Sequence, residues 1–531
     1  MSMKRNFSLL QNRKFDLLVC GGGIYGAWVA YDAALRGLKV AIVDQGDWAG
    51  ATSSASTKLI HGGLRYLESY DFKLVKKALS ERSMLLQAAP HRVWPLRFGV
   101  PVYTDSRIGS LQLKLGLTLY DFLAGRANPE MRHRHFNRKR FFARFPMLNP
   151  AALKRGFTYP DAQTDDARLV LELIAGAIAA GAVCVNYCKV TNLCEANGQA
   201  CGASIQDMQH GDIGEIHARQ VVYATGQWTI ASAQGREWCR LAKGVHLVMP
   251  GILHDEALLL TAKSDGRVFF VIPWYGVTLL GTTDTDYHGN IEQVTVEESD
   301  ICYLLAAAND YLGTVWTLAD IIGKYAGVRV LKQSAQSVAS DSPSAVSRDW
   351  ELKTTENGVH YSIGGKLTSA RQDAACIVDT ICARLGHNAA CATNGKAFPW
   401  SPPENFAAWM VMMNARAAEL GIDAESAKWL IRRHGTRVTE IFHSIENTPS
   451  LADRIFPSLP LIVADLLFCA RTEMAVHLAD LLRRRMPMFI LAQLTKNDMQ
   501  QLATKVASIM GWDDGAVNRE VEHCHKQWLA Q

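Results

Sequence analysis

The sequence has no apolar run long enough to cross a bilayer. Its longest nearly apolar stretch, Leu169 to Val185, carries Glu172 and two glycines and falls short of the ~20 residues that a span needs. It reads as a buried helix followed by a strand. Met1 to Lys14 has no apolar centre, so neither a secretory signal nor a transit peptide is expected and the folded body is placed in the cytoplasm. The 12 cysteines include no CxxC pair, and the one Cys/His cluster, His523-Cys524-His525, lacks a second ligand pair at metal-site spacing. Buried, reduced thiols and no metal site are expected. An excess of one charge is also missing: a net +5 over 531 residues is not the balance of a nucleic-acid binder.

With 48% apolar side chains the chain can bury at least two large cores. Charge is concentrated in one place, at Arg126, Arg132, Arg134, Arg138, Lys139, Arg140 and Arg144, with His133 and His135 among them and Glu130 alone opposing. Just before this run, Ile108, Leu111, Leu115 and Leu119 recur at helical spacing within Ile108 to Leu123. Such a surface is either a solvated face over core-facing leucines or a peripheral contact with an anionic membrane.

The first forty-five residues have the order of a βαβ unit. Phe15 to Cys20 reads as a buried strand ending at glycines, Ile24 to Arg36 as a helix closed by Gly37, and Lys39 to Val43 as a second strand. That order predicts a parallel sheet with helical crossovers. Asp166 to Ala180 reads as helical, Ala182 to Tyr187 as extended, Gln220 to Tyr223 as a strand ending at Ala224-Thr225-Gly226, and Arg267 to Thr283 as a hairpin. Past about residue 385 strand-like runs stop. Glu404 to Leu420, Ala424 to His434, Leu461 to Arg485 and Lys496 to Met510 carry helical periodicity behind the Pro-containing connector Phe398 to Pro403. The expected organisation is a pair of interleaved α/β domains over residues 1–385 and an all-helical domain over 386–531.

Gly21-Gly22-Gly23-Ile24-Tyr25-Gly26 is a GxGxxG set between a strand and a helix. Gly21 permits the tight turn, Gly23 lets a pyrophosphate approach the backbone, and Gly26 lets the helix pack close to the sheet. The pyrophosphate would rest on the helix N-terminus. Asp44, eighteen residues after Gly26 at the end of the second strand, is placed to accept hydrogen bonds from ribose hydroxyls. This is a dinucleotide site, and the motif alone does not separate NAD from FAD.

The segment from Ala51 to Glu68, ATSSASTKLIHGGLRYLE, joins small hydroxyl residues to paired glycines and cations. Small residues and glycines let backbone N–H groups reach a flat polar ring, while Lys58, His61 and Arg65 can meet negative charge. It resembles the stretch SSxSSKLIHGGLRYLE of FAD-dependent glycerol-3-phosphate dehydrogenases, with Thr57 in place of one serine. Further motifs resemble that family in its order: Tyr159-Pro160-Asp161, Asp165 to Leu169, Ala224-Thr225-Gly226 with Trp228, Lys243-Gly244 with His246, and Val271 to Trp274. Gly281 to Asp284, Tyr325 to Arg329, Asp341-Ser342-Pro343 with Arg348-Asp349, and Gly364 to Thr368 continue the series. The similarity covers roughly residues 14 to 375 closely and is weaker in the tail, where Arg432 to Thr436, Ala470 to Glu473, Leu482 to Arg485 and Gly511-Trp512-Asp513 carry it.

The resemblance implies a Rossmann-like FAD-binding domain interleaved with a mixed-sheet substrate domain, plus the C-terminal helical domain. It implies oxidation of sn-glycerol 3-phosphate to dihydroxyacetone phosphate, by hydride transfer from C2 to flavin N5, with electrons passed to a quinone at the cytoplasmic membrane. Noncovalent FAD and a homodimer are expected with it. The implied cofactor residues are Gly21, Gly23, Ile24, Gly26, Asp44, Thr52, Ser53, Ser54, Ser56, Lys58, Leu59, His61, Gly62, Gly63, Thr225, Gly226, Gly365, Lys366, Leu367 and Thr368. The implied substrate residues are Arg65, Tyr66, Thr282, Asp284, Arg329, Arg348 and Lys366.

Elementary chemistry makes compatible demands. A phosphate dianion needs fixed cations, and arginine offers a planar bidentate fork. The hydroxyl proton must leave to a base or water. His61 and Lys366 are both candidates, whereas Arg329, with an arginine pKa above ~12, is assigned to binding and charge stabilisation together with Arg65. Two positions depart from the family: Val330 follows Arg329 and Gln227 follows Gly226 where the family has proline, which removes a φ fixed near about −65°. The competing enzyme reading is an oxygen-using flavin oxidase of a related phosphorylated alcohol. A flavin-bound protein without turnover is the third reading, opposed by the number of cations kept in the matched motifs.

Overall fold

The computed structural model describes residues 2–11, 13–68, 70–125, 129–253, 255–333, 349–403 and 405–529. The apolar run before the glycines forms the strand Lys14–Cys20, buried from Leu17 onward, and a strand buried on both faces needs a layer on each side. The helix Ile24–Leu35 follows, then the strand Val40–Val43, parallel to the first in the register Leu17↔Val40 to Cys20↔Val43. Gly26, Ala27, Ala30, Ala33 and Ala34 are buried on that helix. These small residues let it lie between the helices Asp166–Ala179 and Ala370–Leu385. The strand Ile213–Tyr223 pairs parallel to Lys14–Cys20 on its other side, and His360–Ile363 pairs parallel beyond it, within an eight-stranded sheet.

A second, ten-stranded sheet is mostly antiparallel. Val93–Tyr103 pairs with Leu153–Thr164, and Val268–Trp274 forms a hairpin with Val277–Gly281. Cys239–Met249 pairs along its length with Gly323–Lys332, setting Ala242 opposite Arg329 and His246 opposite Tyr325. The chain passes back and forth between the sheets, since the parallel strands come from both ends of the segments that build the antiparallel one.

After His360–Ile363 the described residues form no further strand. Phe406–Glu419, Ala424–His434, Val463–Thr472 and Lys496–Met510 are helices, as periodicity leads one to expect. Leu461 to Arg485 is not continuous. It breaks after Thr472 because the Glu473 carboxylate turns inward to Arg168 and Arg437, and Met474, at φ 50, turns its carbonyl to Asn186. Asp514–Leu529 is a helix that periodicity did not single out, as only Val517, Val521 and Cys524 are buried on it. The helical region does not stand apart: Trp429, Leu461, Leu478 and Leu482 share one core with Trp94, Leu96, Phe98 and Tyr159.

Among the described residues no helix is long and apolar enough to cross a membrane. The helix Ser110–Leu123 buries Leu113, Leu117 and Tyr120 and leaves Leu111 (72% exposed), Leu115 (62%) and Phe122 (78%) outside. The leucines Leu111 and Leu115 therefore do not face the core. Arg132, Arg134, Arg138, Lys139 and Arg140 are exposed nearby; Arg126 lies outside the described residues.

Candidate active site

Four parallel strands deliver the predicted cofactor residues to one edge. Lys14–Cys20 runs into Gly21, Val40–Val43 into Asp44, Ile213–Tyr223 into Ala224-Thr225-Gly226, and His360–Ile363 into Gly364-Gly365. Ligands of such sheets bind beyond the carboxyl ends of the strands. Gly21, at φ +109, lies so close to the neighbouring loop that a Cβ would sit 2.5 Å from the Ala224 carbonyl oxygen. At Gly26 a Cβ would be 1.8 Å from the Gly21 carbonyl oxygen, which is the close helix–turn approach that the motif requires. Gly23 differs: among the described residues, chain neighbours apart, only Ser53 Oγ, at 3.1 Å, lies within 4 Å of a Cβ built there. Asp44 accepts from the Gly22 N–H (2.6 Å) and the Gly46 N–H (2.8 Å). Burial pushes its carboxyl up to about 6 against those bonds.

The segment after Asp44 threads from this edge to the second sheet. Ser53 Oγ accepts from the Ile24 N–H at 2.9 Å, at the head of the glycine-rich turn's helix. Thr52 Oγ1 donates to the Val328 carbonyl at 2.5 Å, and Ser54 Oγ to the Ala51 carbonyl at 3.2 Å. Ser56 and Lys58 both turn to Asp166, with Lys58 Nζ 2.6 Å from Oδ1, so the Lys58 charge is met inside the protein. Leu59 enters a short strand paired with Gln163. The His61 N–H donates to Thr368 Oγ1 at 3.1 Å, joining this segment to the Gly365-Lys366-Leu367-Thr368 loop. The Gly62 N–H donates to Tyr120 Oη at 2.9 Å, and Gly63 adopts φ 74 to begin the turn Leu64–Leu67. That turn places Tyr66 under Lys366, with Nζ 3.6 Å from the ring centroid and the Arg65 guanidinium 5.8 Å from it. The Lys366 N–H donates to Tyr25 Oη at 3.0 Å, and Tyr25 Oη donates to Asp373 at 2.7 Å.

The second sheet supplies the remaining residues. Arg329 donates to the Thr283 carbonyl at 2.6 Å and to Thr282 Oγ1 at 3.4 Å, and pairs with Asp284 at 3.4 Å. Gly244 makes room for it, since a Cβ there would lie 2.1 Å from Arg329 Nη2. Gly281 is in register with both His246 and Phe270, and the Phe270 ring meets the edge of His61 at 6.3 Å between centroids. His61 is thus linked through Phe270 to the hairpin that ends at Gly281, next to the Thr282 and Thr283 that hold Arg329. Arg348, with Asp341, Ser342 and Pro343, lies outside the described residues.

Two sequence-family models match this chain: "FAD dependent oxidoreductase" over residues 16–371 and "C-terminal domain of alpha-glycerophosphate oxidase" over residues 404–517. Glycerol-3-phosphate dehydrogenase 2 of Mycobacterium tuberculosis is 34% identical, across 96% of this chain and 88% of its own length. The chain belongs to the FAD-dependent glycerol-3-phosphate dehydrogenase family. Aerobic glycerol-3-phosphate dehydrogenase of Bacillus subtilis is 32% identical across 97% and 95% of the two chains. The glycerol-3-phosphate dehydrogenase of Bacillus halodurans, solved with FAD, superposes at a TM-score of 0.79 and 27% identity, covering 98% of this chain and 96% of that one.

The residues fit the family's cofactor, FAD. The outer side of Gly23 is open and stands at a helix N-terminus, and Gly226, at φ +54, has no atom of the described residues, chain neighbours apart, within 4 Å of a Cβ position. Both leave room for a pyrophosphate against backbone, where the helix dipole favours an anion. A buried group with metal-type donors, His434, Asp465 and Cys469, is organised differently: Asp465 already serves as the counter-charge of Arg433 and bonds His434.

The structure adds a residue to which the sequence attaches no role, His246, on the strand that pairs with that of Arg329. His246 is buried, stacks on Tyr325 with centroids 4.9 Å apart, and bonds Thr57 Oγ1 at 3.0 Å, while among the described residues its Nδ1 has no hydrogen-bond partner. A lone histidine in an apolar run was the available signal, since buried polar groups are the informative exceptions. Burial, then the nearby Arg329 and Lys58 charges, holds it down at about 3. Burial holds His434 down at about 4.

Both imidazoles stay neutral in the folded chain, while unfolded histidines take up protons as pH falls through about 6.5. Acid therefore favours the unfolded state, and stability present at neutral pH is lost downward. These two groups should cost roughly 2–4 kcal/mol between pH 7 and pH 5. A Tm series should show the decline; a flat Tm across that window would contradict neutral burial of the pair.

Proposed function

We propose that this chain oxidises sn-glycerol 3-phosphate at C2 to dihydroxyacetone phosphate and passes the electron pair to a membrane quinone. The observation that carries the substrate is Arg329, held by Thr283, Thr282 and Asp284 beside the loops that end the nucleotide sheet. A guanidinium fixed at several points loses little freedom on meeting a phosphate. Arg65 and Lys366, brought together over Tyr66, add cations on the cofactor side, and Thr282 and Asp284 shape the pocket wall. Bound FAD supplies the hydride acceptor. The chain's own task is to hold C2–H toward it and to take the hydroxyl proton, for which His61, Lys366 and the neutral His246 are the candidates. Glycerol 3-phosphate should yield one dihydroxyacetone phosphate per soluble quinone analogue reduced. Stoichiometric peroxide with the quinone left oxidised would replace this with the oxidase reading, which the family description of residues 404–517 keeps in view.

A quinone acceptor calls for a lipid surface. Leu111, Leu115 and Phe122 stand outside the helix Ser110–Leu123, next to the exposed Arg134, Arg138, Lys139 and Arg140. Apolar side chains dipping into an interface beside cations that meet anionic headgroups make a peripheral attachment. Changing those four basic residues together to serine should reduce binding to anionic vesicles and quinone-coupled turnover, and leave turnover with a soluble acceptor nearly intact. Binding by the parent chain should weaken as salt rises. Unchanged vesicle binding by the variant would make this run a solvated face.

A further inference from the structure

The turn Leu481–Arg485 is wound as a π-helix in the helical region and carries three consecutive arginines. Wider turns of this kind are rare and concentrate at functional sites. Arg485 is fully buried; it pairs with Asp47 and donates to the Glu473 carbonyl at 2.9 Å. Arg484 pairs with Asp47 and with Asp480, each at 2.5 Å. Arg483 goes elsewhere: Nη2 donates to the Ser54 carbonyl at 3.2 Å, and the guanidinium stands 5.5 Å from the Tyr325 ring centroid.

These contacts land on the residues that shape the cofactor turn. Beside Asp47, the Trp48 ring fills the space above Gly22, where a Cβ would be 2.2 Å from the indole. Trp48 Nε1 is held by Met474 Sδ at 3.4 Å, and the Ala49 N–H donates to the Gly22 carbonyl at 3.0 Å. Asn186 closes the set by donating to Asp47 at 3.1 Å and to the Met474 carbonyl at 3.0 Å. On the other flank, Ser54 adjoins Ser53, whose hydroxyl accepts from the Ile24 N–H at 2.9 Å. Tyr325 Oη donates to the Ser56 carbonyl at 3.1 Å. The helical region thus grips the glycine-rich turn from one side and the serine segment from the other.

We propose that the Arg483–Arg485 turn is a positioning clamp for the FAD site, so that retention of FAD and docking of the helical region are one coupled equilibrium. None of the three arginines needs to touch the cofactor for this. Arg484 and Arg485 fix Asp47 and with it Trp48 against Gly22, while Arg483 fixes the Ser54–Ser56 segment. Coupling of two binding events is reciprocal: whatever tightens the clamp tightens FAD, and FAD tightens the clamp by the same factor.

The test is release of FAD from the holoenzyme, followed as flavin fluorescence appears on dilution, at a temperature where circular dichroism shows every variant folded. Arg485→Met and Arg483→Met should each release FAD about tenfold faster or more. Arg483→Lys should stay close to the parent, because lysine keeps a cation by Tyr325 and a donor for the Ser54 carbonyl. Ile441→Ala, in a separate core of the helical region with Trp409, Met413 and Phe442, should lower Tm without faster release. Parental release rates in both methionine variants, or equal acceleration in Ile441→Ala, would overturn the clamp and leave ordinary interdomain packing. Should Arg485→Met not fold, hydrogen exchange of the parent chain decides: amides of Met474 and Met486 should exchange faster once FAD is stripped. Exchange there that ignores FAD would overturn the proposal.

Discussion

Gly23→Val is expected to give a folded protein without flavin. The Gly23 backbone, at φ −78 and ψ −173, is extended and open to a β-branched residue. Among the described residues the new Cβ would meet Ser53 Oγ, at 3.1 Å, a hydroxyl that can rotate aside. Its two methyl groups would fill the open side at the helix N-terminus where the pyrophosphate meets backbone. Overpacking of that order costs about 3 kcal/mol, or more than about a hundredfold in FAD affinity. Gly26→Ala is expected to fail differently: its Cβ would lie 1.8 Å from the Gly21 carbonyl oxygen, so turn and helix must separate and little folded protein should result. The flavin-to-protein absorbance ratio and circular dichroism distinguish the two outcomes. A yellow Gly23→Val protein with full flavin content would remove the pyrophosphate from this turn.

Arg329→Ala is expected to keep FAD and lose turnover. The side chain sits on the second sheet and is held by Thr282, Thr283 and Asp284, three residues that lie outside the glycine-rich turn. Losing a charge-assisted phosphate contact costs about 1.5–3 kcal/mol, roughly tenfold to over a hundredfold in kcat/KM. Gly244→Ala should move activity the same way, because its Cβ would lie 2.1 Å from Arg329 Nη2 and displace the guanidinium. Steady-state rates with glycerol 3-phosphate and a soluble acceptor, set beside flavin content, provide the check. Loss of flavin from Arg329→Ala would put the residue in the wrong group.

The parts of the fold that sequence reading reached are those written in local pattern. Leu17 to Cys20 and Val40–Val43 are continuous apolar runs because both faces are covered, and glycines punctuate the helix between them. Asp166–Ala179 was legible for the same reason. The break at Glu473 was not, because periodicity continues through it while the cause, the Arg168 guanidinium, lies 305 residues away in sequence. Site chemistry divides the same way. The glycine-rich turn and the serine segment announce themselves by composition. Lys58 reads in sequence as a cation seeking an anion, and its partner proves to be Asp166, 108 residues on. His246 gains its setting from register, opposite Tyr325 and beside Gly281, and register between distant strands is invisible in one sequence. The arginines of Leu482 to Arg485 matched a family motif, and only their contacts with Asp47, Ser54 and Tyr325 show what they hold.

Reduction of the flavin by glycerol 3-phosphate at a phosphate-binding pocket is read out by anaerobic mixing of the FAD-loaded protein with that substrate while flavin absorbance is followed. The expected result is bleaching of the oxidised flavin band, one dihydroxyacetone phosphate per flavin reduced, and a much slower reaction with unphosphorylated glycerol. A flavin that stays oxidised with glycerol 3-phosphate, or that bleaches equally fast with glycerol, would contradict it.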